Sequence, residues 1–152
     1  MKPRIYIDTS VIGGCVDPEF EFASLRLVRA VLSGRATMVL SELTTRELAP
    51  APAAVREVLA RIPSSSIENL GFCAEADDLA QAYLFEHVVT PSFSVDALHI
   101  AHATVARVDV LVSWNFRHIV NLQRIRAFNA VNLKRGYPLL EIRSPLEMFA
   151  DE

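Results

Sequence analysis

The stretch Arg4-Ile5-Tyr6-Ile7-Asp8-Thr9-Ser10, near the start of the chain, decides the fold class. Its apolar residues predict a short buried β-strand, which ends where the polar residues begin. A second stretch, Val110-Leu111-Val112-Ser113, is hydrophobic without alternation, as strands covered on both faces are. Trp114 and Asn115 follow it directly. Both strands are therefore expected to bring polar side chains to their carboxyl ends.

Helical periodicity alternates with short strands along the rest of the chain. We predict helices over 19–33, 43–48, 53–61, 74–86, 95–106 and 122–134, and further strands over 37–40, 67–70 and 139–142. This alternation predicts an α/β fold with a mainly parallel central sheet flanked by helices. The first helix is predicted from the apolar residues Phe22, Leu25, Val28 and Leu32, which recur at helical spacing. The pair Gly13-Gly14 before it predicts a flexible turn.

Composition limits the kinds of protein this chain can be. The 152 residues suit one domain over 1–152, and 51% hydrophobic with 22% charged residues excludes an intrinsically disordered chain. No run approaches the roughly 20 apolar residues of a membrane-spanning helix, so we expect no membrane association. Cys15 and Cys73 form no disulfide framework and lack metal-type spacing, which favours a reducing cytoplasm.

The charge is distributed unevenly along the chain. The formal net charge is −3, yet residues 115–143 carry six basic residues against Glu141 alone. The basic residues are Arg117, Arg124, Arg126, Lys134, Arg135 and Arg143. Such a block has the charge expected of a phosphate-binding edge, but on charge alone a solvated helix face rich in arginine is the favoured interpretation.

Polar residues from distant parts of the sequence are expected to meet at one edge of the sheet. Asp8 and Asn115 follow two strands, Glu47 lies in the short helix after the second strand, and Asp96 lies in the first turn of the most apolar helix. The carboxyl ends of parallel strands share one edge, where ligands bind. Gathered carboxylates repel one another unless a cation neutralises them, and oxygen ligands favour Mg²⁺ over zinc. Such sites serve many nucleases.

Each acidic residue also has a purely structural interpretation. Asp8 could cap the turn that follows its strand. Asp96 could simply complement the dipole of its helix, although a charge in an alanine-rich helix tends to be paired or ligating. Glu47 could be an ordinary surface glutamate, since Glu42 lies only five residues away.

Other chemistry-bearing side chains leave two interpretations open. The three-residue spacing of Asp96, His99 and His102 could indicate a zinc site. An α-helix has 3.6 residues per turn, so three-residue steps rotate around it and leave His102 far from the face of Asp96. A partner-facing or hydrogen-bonded role for these histidines is therefore favoured. Trp114 could stack on a nucleotide base or belong to the core. Arg117 and His118 could contact phosphate or lie in a solvated turn.

Four segments follow one another in a recognisable order: Ile5-Tyr6-Ile7-Asp8-Thr9-Ser10-Val11, Ser41 with Glu47, Asp96-Ala97-Leu98-His99-Ile100-Ala101, and Leu111-Val112-Ser113-Trp114-Asn115-Phe116. They resemble the ordered motifs of PIN-domain proteins, in particular the VapC-like ribonuclease toxins of prokaryotic toxin–antitoxin operons. The resemblance covers about residues 4 to 120. It implies a PIN fold, a Mg²⁺ or Mn²⁺ cofactor, cleavage of RNA, a cognate antitoxin and a homodimer.

The resemblance also assigns roles by motif position. The three acids of the family fall on Asp8, Glu47 and Asp96, with the accompanying hydroxyls on Thr9 and Ser113. The fourth position, usually aspartate, is Asn115, which removes a charge and a strong ligand. The implied arrangement is one cation on Asp8 and Asp96, with Glu47 positioning or deprotonating the attacking water.

Three hypotheses follow, of which a metal-dependent endoribonuclease of toxin type leads. The alternative is a PIN-fold RNA-binding or scaffolding protein with little catalysis, motivated by Asn115 and by Arg124 and Arg126 in the basic segment. A phosphatase with Asp8 as nucleophile is disfavoured, because haloacid-dehalogenase-type enzymes have a second aspartate where this chain has Ser10.

Overall fold

A computed structural model describes residues 1–149 and contains one five-stranded sheet. The strands are β1 (Arg4–Ile7), β2 (Thr37–Ser41), β3 (Ile67–Leu70), β4 (Val110–Val112) and β5 (Ile142–Arg143). Their order across the sheet is β3-β2-β1-β4-β5, and each neighbouring pair is parallel. The predicted α/β fold with a parallel central sheet is confirmed.

Seven α-helices connect the strands in the described part of the chain. They are α1 (Thr9–Gly14), α2 (Glu21–Leu32), α3 (Glu42–Leu48), α4 (Ala53–Ala60), α5 (Ala74–Phe85), α6 (Ser94–Val105) and α7 (Leu122–Lys134). Apart from α1, each was predicted, with ends that differ by no more than two residues.

The helices cover both faces of the sheet. In β1, Tyr6 faces a core cluster that includes residues of α5, α6 and α7. Ile5 and Ile7 face a second cluster, which includes residues of α1 and α2. All three residues of β4 are buried, because helices cover both faces of the sheet at this strand, which explains its unbroken hydrophobicity.

Two local predictions were wrong. Gly13 and Gly14 form the end of α1 rather than a flexible turn, and Gly14 is buried against Trp114. The last strand covers Ile142–Arg143, not 139–142. The side chain of Asn129 explains this difference, because it accepts from the backbone N–H of Leu140 at 2.7 Å and donates to its carbonyl at 3.1 Å.

The buried face of α2 coincides only in part with the apolar residues that predict this helix, of which Val28 is buried. Phe22 is 75% exposed and Leu32 is 49% exposed. Ala23, Leu27 and Val31, spaced by four residues, are buried instead. The small side chain of Ala23 contributes little to a hydrophobic pattern. The buried stripe is therefore less evident in the sequence than the larger apolar residues that predict the helix.

Two further expectations concern cysteines and membranes. Cys15 and Cys73 are both free thiols, and burial raises the pKa of Cys15 to about 11. Between residues 1 and 149, none of the helices has the length and apolar character needed to span a membrane.

Candidate active site

The candidate site lies at the carboxyl edge of the two central strands. Ile7 and Val112 are paired across β1 and β4, and the N–H of Asp8 donates to the carbonyl of Val112 at 3.2 Å. Asp8 and Ser113 therefore leave adjacent strands side by side. This is the convergence that parallel strands were expected to produce.

Asp8 is a buried carboxylate with a partner on each oxygen. The residue is 7% exposed and is the N-cap of α1. Its Oδ1 accepts from the backbone N–H of Ser10 at 3.0 Å, and its Oδ2 accepts from the hydroxyl of Ser113. The capping interpretation is thus confirmed, and it coexists with a position at the sheet edge. Ser113 supports Asp8 directly.

Asp96 lies in the first turn of α6 and is partly buried. The charges of the other two acids affect its pKa. Burial raises its pKa, and the negative charges of Asp8 and, to a smaller degree, Glu47 raise it further. The nearby imidazoles of His118 and His99 oppose this shift without reversing it. The three acids are therefore electrostatically coupled.

Asn115 has its two amide atoms turned in different directions. Its Oδ1 accepts from the backbone N–H groups of Arg117 at 3.2 Å and His118 at 2.9 Å. Its Nδ2 lies 3.4 Å from Oδ2 of Asp96. The oxygen that could have coordinated a metal is engaged with the backbone, and a hydrogen-bond donor faces Asp96 instead.

Glu47 lies at the same edge but is oriented towards other partners. Its Oε1 accepts from the hydroxyl of Thr9 at 2.9 Å and lies 2.6 Å from Nε2 of His99. Burial alone would raise its pKa, but the hydrogen bond and charge of His99 and the hydroxyl of Thr9 outweigh burial, so the pKa is lowered. Thr9 therefore supports Glu47, whereas the supporting role of Ser113 falls on Asp8.

A chain of buried polar side chains behind Glu47 was not predicted from the sequence. His99 is 1% exposed, and its Nδ1 lies 2.6 Å from the hydroxyl of Tyr6. That hydroxyl in turn lies 2.7 Å from Oγ of Ser41. The available signals were a tyrosine inside a buried strand and a histidine on an apolar helix, because buried hydroxyl and imidazole groups need partners.

The donor atoms at this edge fit a hard divalent cation. Within residues 1–149, no lysine or arginine forms an ion pair with Asp8 or Asp96. The same residues contain no cluster of three or more His, Cys, Asp or Glu side chains placed to hold a metal. Two carboxylates, with water and substrate oxygens completing the shell, are the ligand set that suits Mg²⁺. Glu47 is not part of this pair.

An aromatic group lies beside the acids. The indole of Trp114 is partly buried and donates from Nε1 to Oγ of Ser24 at 2.8 Å. The ring of Phe20 packs on it at 4.6 Å between centroids, and the ring of Phe116, 49% exposed, lies at 6.1 Å. Trp114 is thus anchored to the core, and Phe116 presents the exposed aromatic surface.

The candidate phosphate-binding residues fall into two groups. Arg117 and Arg126 are exposed. Arg124 donates to the carbonyl of Val88 and ties α7 to the segment after α5. His118 is 8% exposed, with both ring nitrogens buried and its ring stacked on Phe93 at 3.7 Å. The imidazole of His118 does not reach the surface, which corrects the expectation that it contacts phosphate.

Solved structures share this fold at low sequence identity. A crystal structure of VapBC2 from Rickettsia felis, bound to a promoter DNA fragment, matches with a TM-score of 0.57, 15% identity, and coverage of 93% of this chain and 98% of that chain. A DNA-bound VapBC from Salmonella typhimurium matches with a TM-score of 0.58, 19% identity, and coverage of 95% and 99%. FitAcB from Neisseria gonorrhoeae matches with a TM-score of 0.58, 15% identity, and coverage of 95% and 99%.

The likeness to solved structures extends to the fold and not to the activity. No protein-family profile matches the chain, and no curated protein matches it in sequence. At these identities the neighbours show a common α/β architecture, which agrees with the fold implied by the PIN-domain resemblance.

Proposed function

We propose that the protein is a metal-dependent endoribonuclease of the VapC-like toxin type, which hydrolyses RNA phosphodiester bonds. The observation that carries this proposal is the position of two carboxylates at one sheet edge, Asp8 bonded to Ser113 and Asp96 next to Asn115, with no ion pair to either in the described chain. Two carboxylates in this state favour binding of a divalent cation, because the cation removes their mutual repulsion.

Different residues of the site have different roles in the proposed hydrolysis. Asp8 and Asp96 would hold one Mg²⁺ or Mn²⁺ ion, which when bound supplies a more acidic water and neutralises charge on the phosphodiester. Ser113 fixes the carboxylate of Asp8. Glu47 has Oε1 held by two donors, while its Oε2 has no partner among residues 1–149. That free oxygen can accept the proton of the attacking water.

The proposal includes protein partners. The structural neighbours include complexes described as VapBC, VapBC2 and FitAcB, and this chain covers 98% to 99% of the matched chains. We therefore include a cognate antitoxin that restrains the nuclease, and a homodimer of this chain. Co-expression with the candidate antitoxin should suppress RNA cleavage and yield a stable complex.

RNA cleavage by the purified chain tests the proposal. The wild type should cut RNA with Mg²⁺ or Mn²⁺, whereas EDTA or Asp8→Asn should reduce cleavage by at least ~100-fold. Asp78→Asn, at an exposed site on α5, is the matched control and should retain wild-type activity. Full cleavage in EDTA and by Asp8→Asn would overturn the proposal.

A second candidate, an RNA-binding PIN-fold protein with little catalysis, is favoured by one observation. The side-chain oxygen of Asn115 binds the backbone rather than the site, so the fourth position supplies no carboxylate. On this account RNA binding persists in EDTA, falls with salt, and depends on Arg126 but not on Asp8. Cleavage that requires Asp8 would exclude it.

A further inference from the structure

A buried chain of hydrogen bonds ends at the carboxylate of Glu47. Glu47 is on the short helix α3, and its side chain is 38% exposed. His99, 2% exposed at its side chain, lies behind it on α6. Tyr6, from the central strand β1, is fully buried behind His99. Three separate elements thus contribute to the placement of one carboxylate.

The carboxylate of Glu47 fixes one donor in this chain. An ionised carboxylate only accepts hydrogen bonds, so Nε2 of His99 must carry the hydrogen that is shared with Glu47. Nδ1 of His99 lies 2.6 Å from the hydroxyl of Tyr6, which can donate to it or accept from it. The hydroxyls of Tyr6 and Ser41 lie 2.7 Å apart, and either can donate. The chain of contacts therefore runs from Ser41 through Tyr6 and His99 to Glu47, and its last hydrogen bond is donated by His99.

The arrangement restricts only one oxygen of Glu47. Thr9 and His99 both reach Oε1, at 2.9 Å and 2.6 Å. A glutamate on a short exposed helix otherwise samples many rotamers, whereas two donors on one oxygen select a rotamer and leave Oε2 available.

We propose that His99 and Tyr6 are positioning residues, which hold Glu47 so that its Oε2 faces the water that attacks RNA. This inference rests on the proposed ribonuclease function. It assigns a role to a buried histidine and a buried tyrosine that touch neither the substrate nor the cation, and it predicts that they act only through Glu47.

Two substitutions at one position separate this role from a general structural one. The amide of glutamine occupies the place of Nε2, so His99→Gln keeps a donor to Glu47 and loses the contact with Tyr6. The amide of asparagine occupies the place of Nδ1, so His99→Asn keeps an acceptor for Tyr6 and loses the donor to Glu47. We expect His99→Asn to lower kcat by roughly 10-fold to 100-fold with little change in KM. His99→Gln should retain most of the activity.

Tyr6→Phe and a double variant at Glu47 and His99 test whether both residues act through Glu47. Tyr6→Phe removes only a hydroxyl, should fold, and should lower kcat less than His99→Asn does. In a Glu47→Gln background, His99→Asn should cause no further loss, because its effect passes through Glu47. His102→Gln, which removes another buried imidazole of α6, is the control and should leave kcat unchanged.

A measurement without metal or RNA keeps the inference separate from the proposed activity. In the metal-free protein, ¹⁵N NMR should show a slowly exchanging proton on Nε2 of His99, the atom that faces Glu47. Glu47→Ala should lose that slow exchange, and Glu42→Ala, on the same helix, should keep it. If the wild type cuts no RNA, the proposed function fails while the NMR result still decides whether His99 holds Glu47.

Two results would overturn the positioning role. One is an Nε2 of His99 that carries no proton, or whose proton exchanges equally in wild type and Glu47→Ala. The other is an active enzyme in which His99→Asn matches the wild type, or in which His99→Gln loses as much activity as His99→Asn.

Discussion

Asn115 presents an amide hydrogen-bond donor to Asp96, with Nδ2 3.4 Å from Oδ2. The PIN-domain resemblance implies a carboxylate at this position, which would repel Asp96. The pKa of Asp96 is already raised, first by burial and then by the negative charge of Asp8, and the neutral amide adds no further repulsion. Asn115 therefore avoids a second carboxylate beside Asp96, and the site has one carboxylate ligand fewer.

We expect Asn115→Asp to lower the stability of the metal-free protein and to raise its affinity for divalent metal ions. Aspartate keeps the acceptor for the N–H groups of Arg117 and His118, but it places a second carboxylate beside Asp96. Without divalent ions the Tm should fall, and Mn²⁺ should raise it by more than in the wild type. Asn121→Asp is the control, because Asn121 is the N-cap of α7 and a negative charge suits that helix end. Equal Tm values for wild type and Asn115→Asp, with and without Mn²⁺, would contradict this account.

The raised pKa of Asp96 predicts a pH dependence of stability. In the folded protein Asp96 keeps its proton at pH values above its ordinary pKa of 3.8, because its pKa is raised. In the unfolded chain Asp96 loses its proton near that ordinary value. Stability therefore declines as pH rises from that value through the raised pKa. Asp96→Asn removes this decline, so its Tm relative to wild type should increase as the pH is raised without divalent ions. A difference in Tm that is constant with pH would show that Asp96 is not destabilised by its surroundings.

Gly14 allows Trp114 to approach α1. A Cβ at Gly14 would lie 2.6 Å from Oγ of Ser24 and 2.8 Å from Nε1 of Trp114, which are hydrogen-bonded to each other. Gly14→Ala should therefore destabilise the fold by about 1–3 kcal/mol. For a chain of this size the Tm falls by about 2–4 °C per kcal/mol.

Gly13→Ala is the matched control for this effect. A Cβ at Gly13 meets nothing within 4 Å, and alanine is the better helix former. This variant should be as stable as the wild type or more stable by up to about 1 kcal/mol. If thermal unfolding ranks the two variants in the opposite order, the packing of Trp114 on α1 is incorrect.

Arg124 and Arg126 should behave differently although they are two residues apart. Arg126 is exposed, so Arg126→Ala should weaken RNA binding and reduce the salt slope by about one. Arg124 donates to the carbonyl of Val88, and Arg124→Ala should cost about 1.5–3 kcal/mol of stability. Binding titrations at several salt concentrations and thermal unfolding measure both effects. An Arg126→Ala variant with an unchanged salt slope would remove this arginine from the RNA-binding surface.

The sequence predicted the sheet edge because strand hydrophobicity and the geometry of parallel strands depend on few residues. The unbroken apolar run of β4 and the polar residues after β1 were sufficient to place Asp8 near Ser113. The rotation of a side chain was not predictable in this way. Both the amide orientation of Asn115 and the turn of Glu47 towards His99 depend on neighbours from other elements.

Local structure was not predictable from the sequence where side-chain hydrogen bonds to the backbone, rather than a hydrophobic pattern, determine where an element begins. The short helix α1 begins at a cap supplied by Asp8, the residue also predicted to be a ligand. The last strand was displaced because Asn129 pairs with the backbone of Leu140 before the sheet begins. Neither interaction leaves a periodic signal in the sequence.

Mn²⁺ binding, measured by calorimetry on the wild type and three variants, tests the central claim that Asp8 and Asp96 share a cation. We predict one ion per chain for the wild type, loss of binding in Asp8→Asn and Asp96→Asn, and retention in Glu47→Gln, whose carboxylate is held by Thr9 and His99. Unchanged Mn²⁺ binding in both aspartate variants would contradict the account.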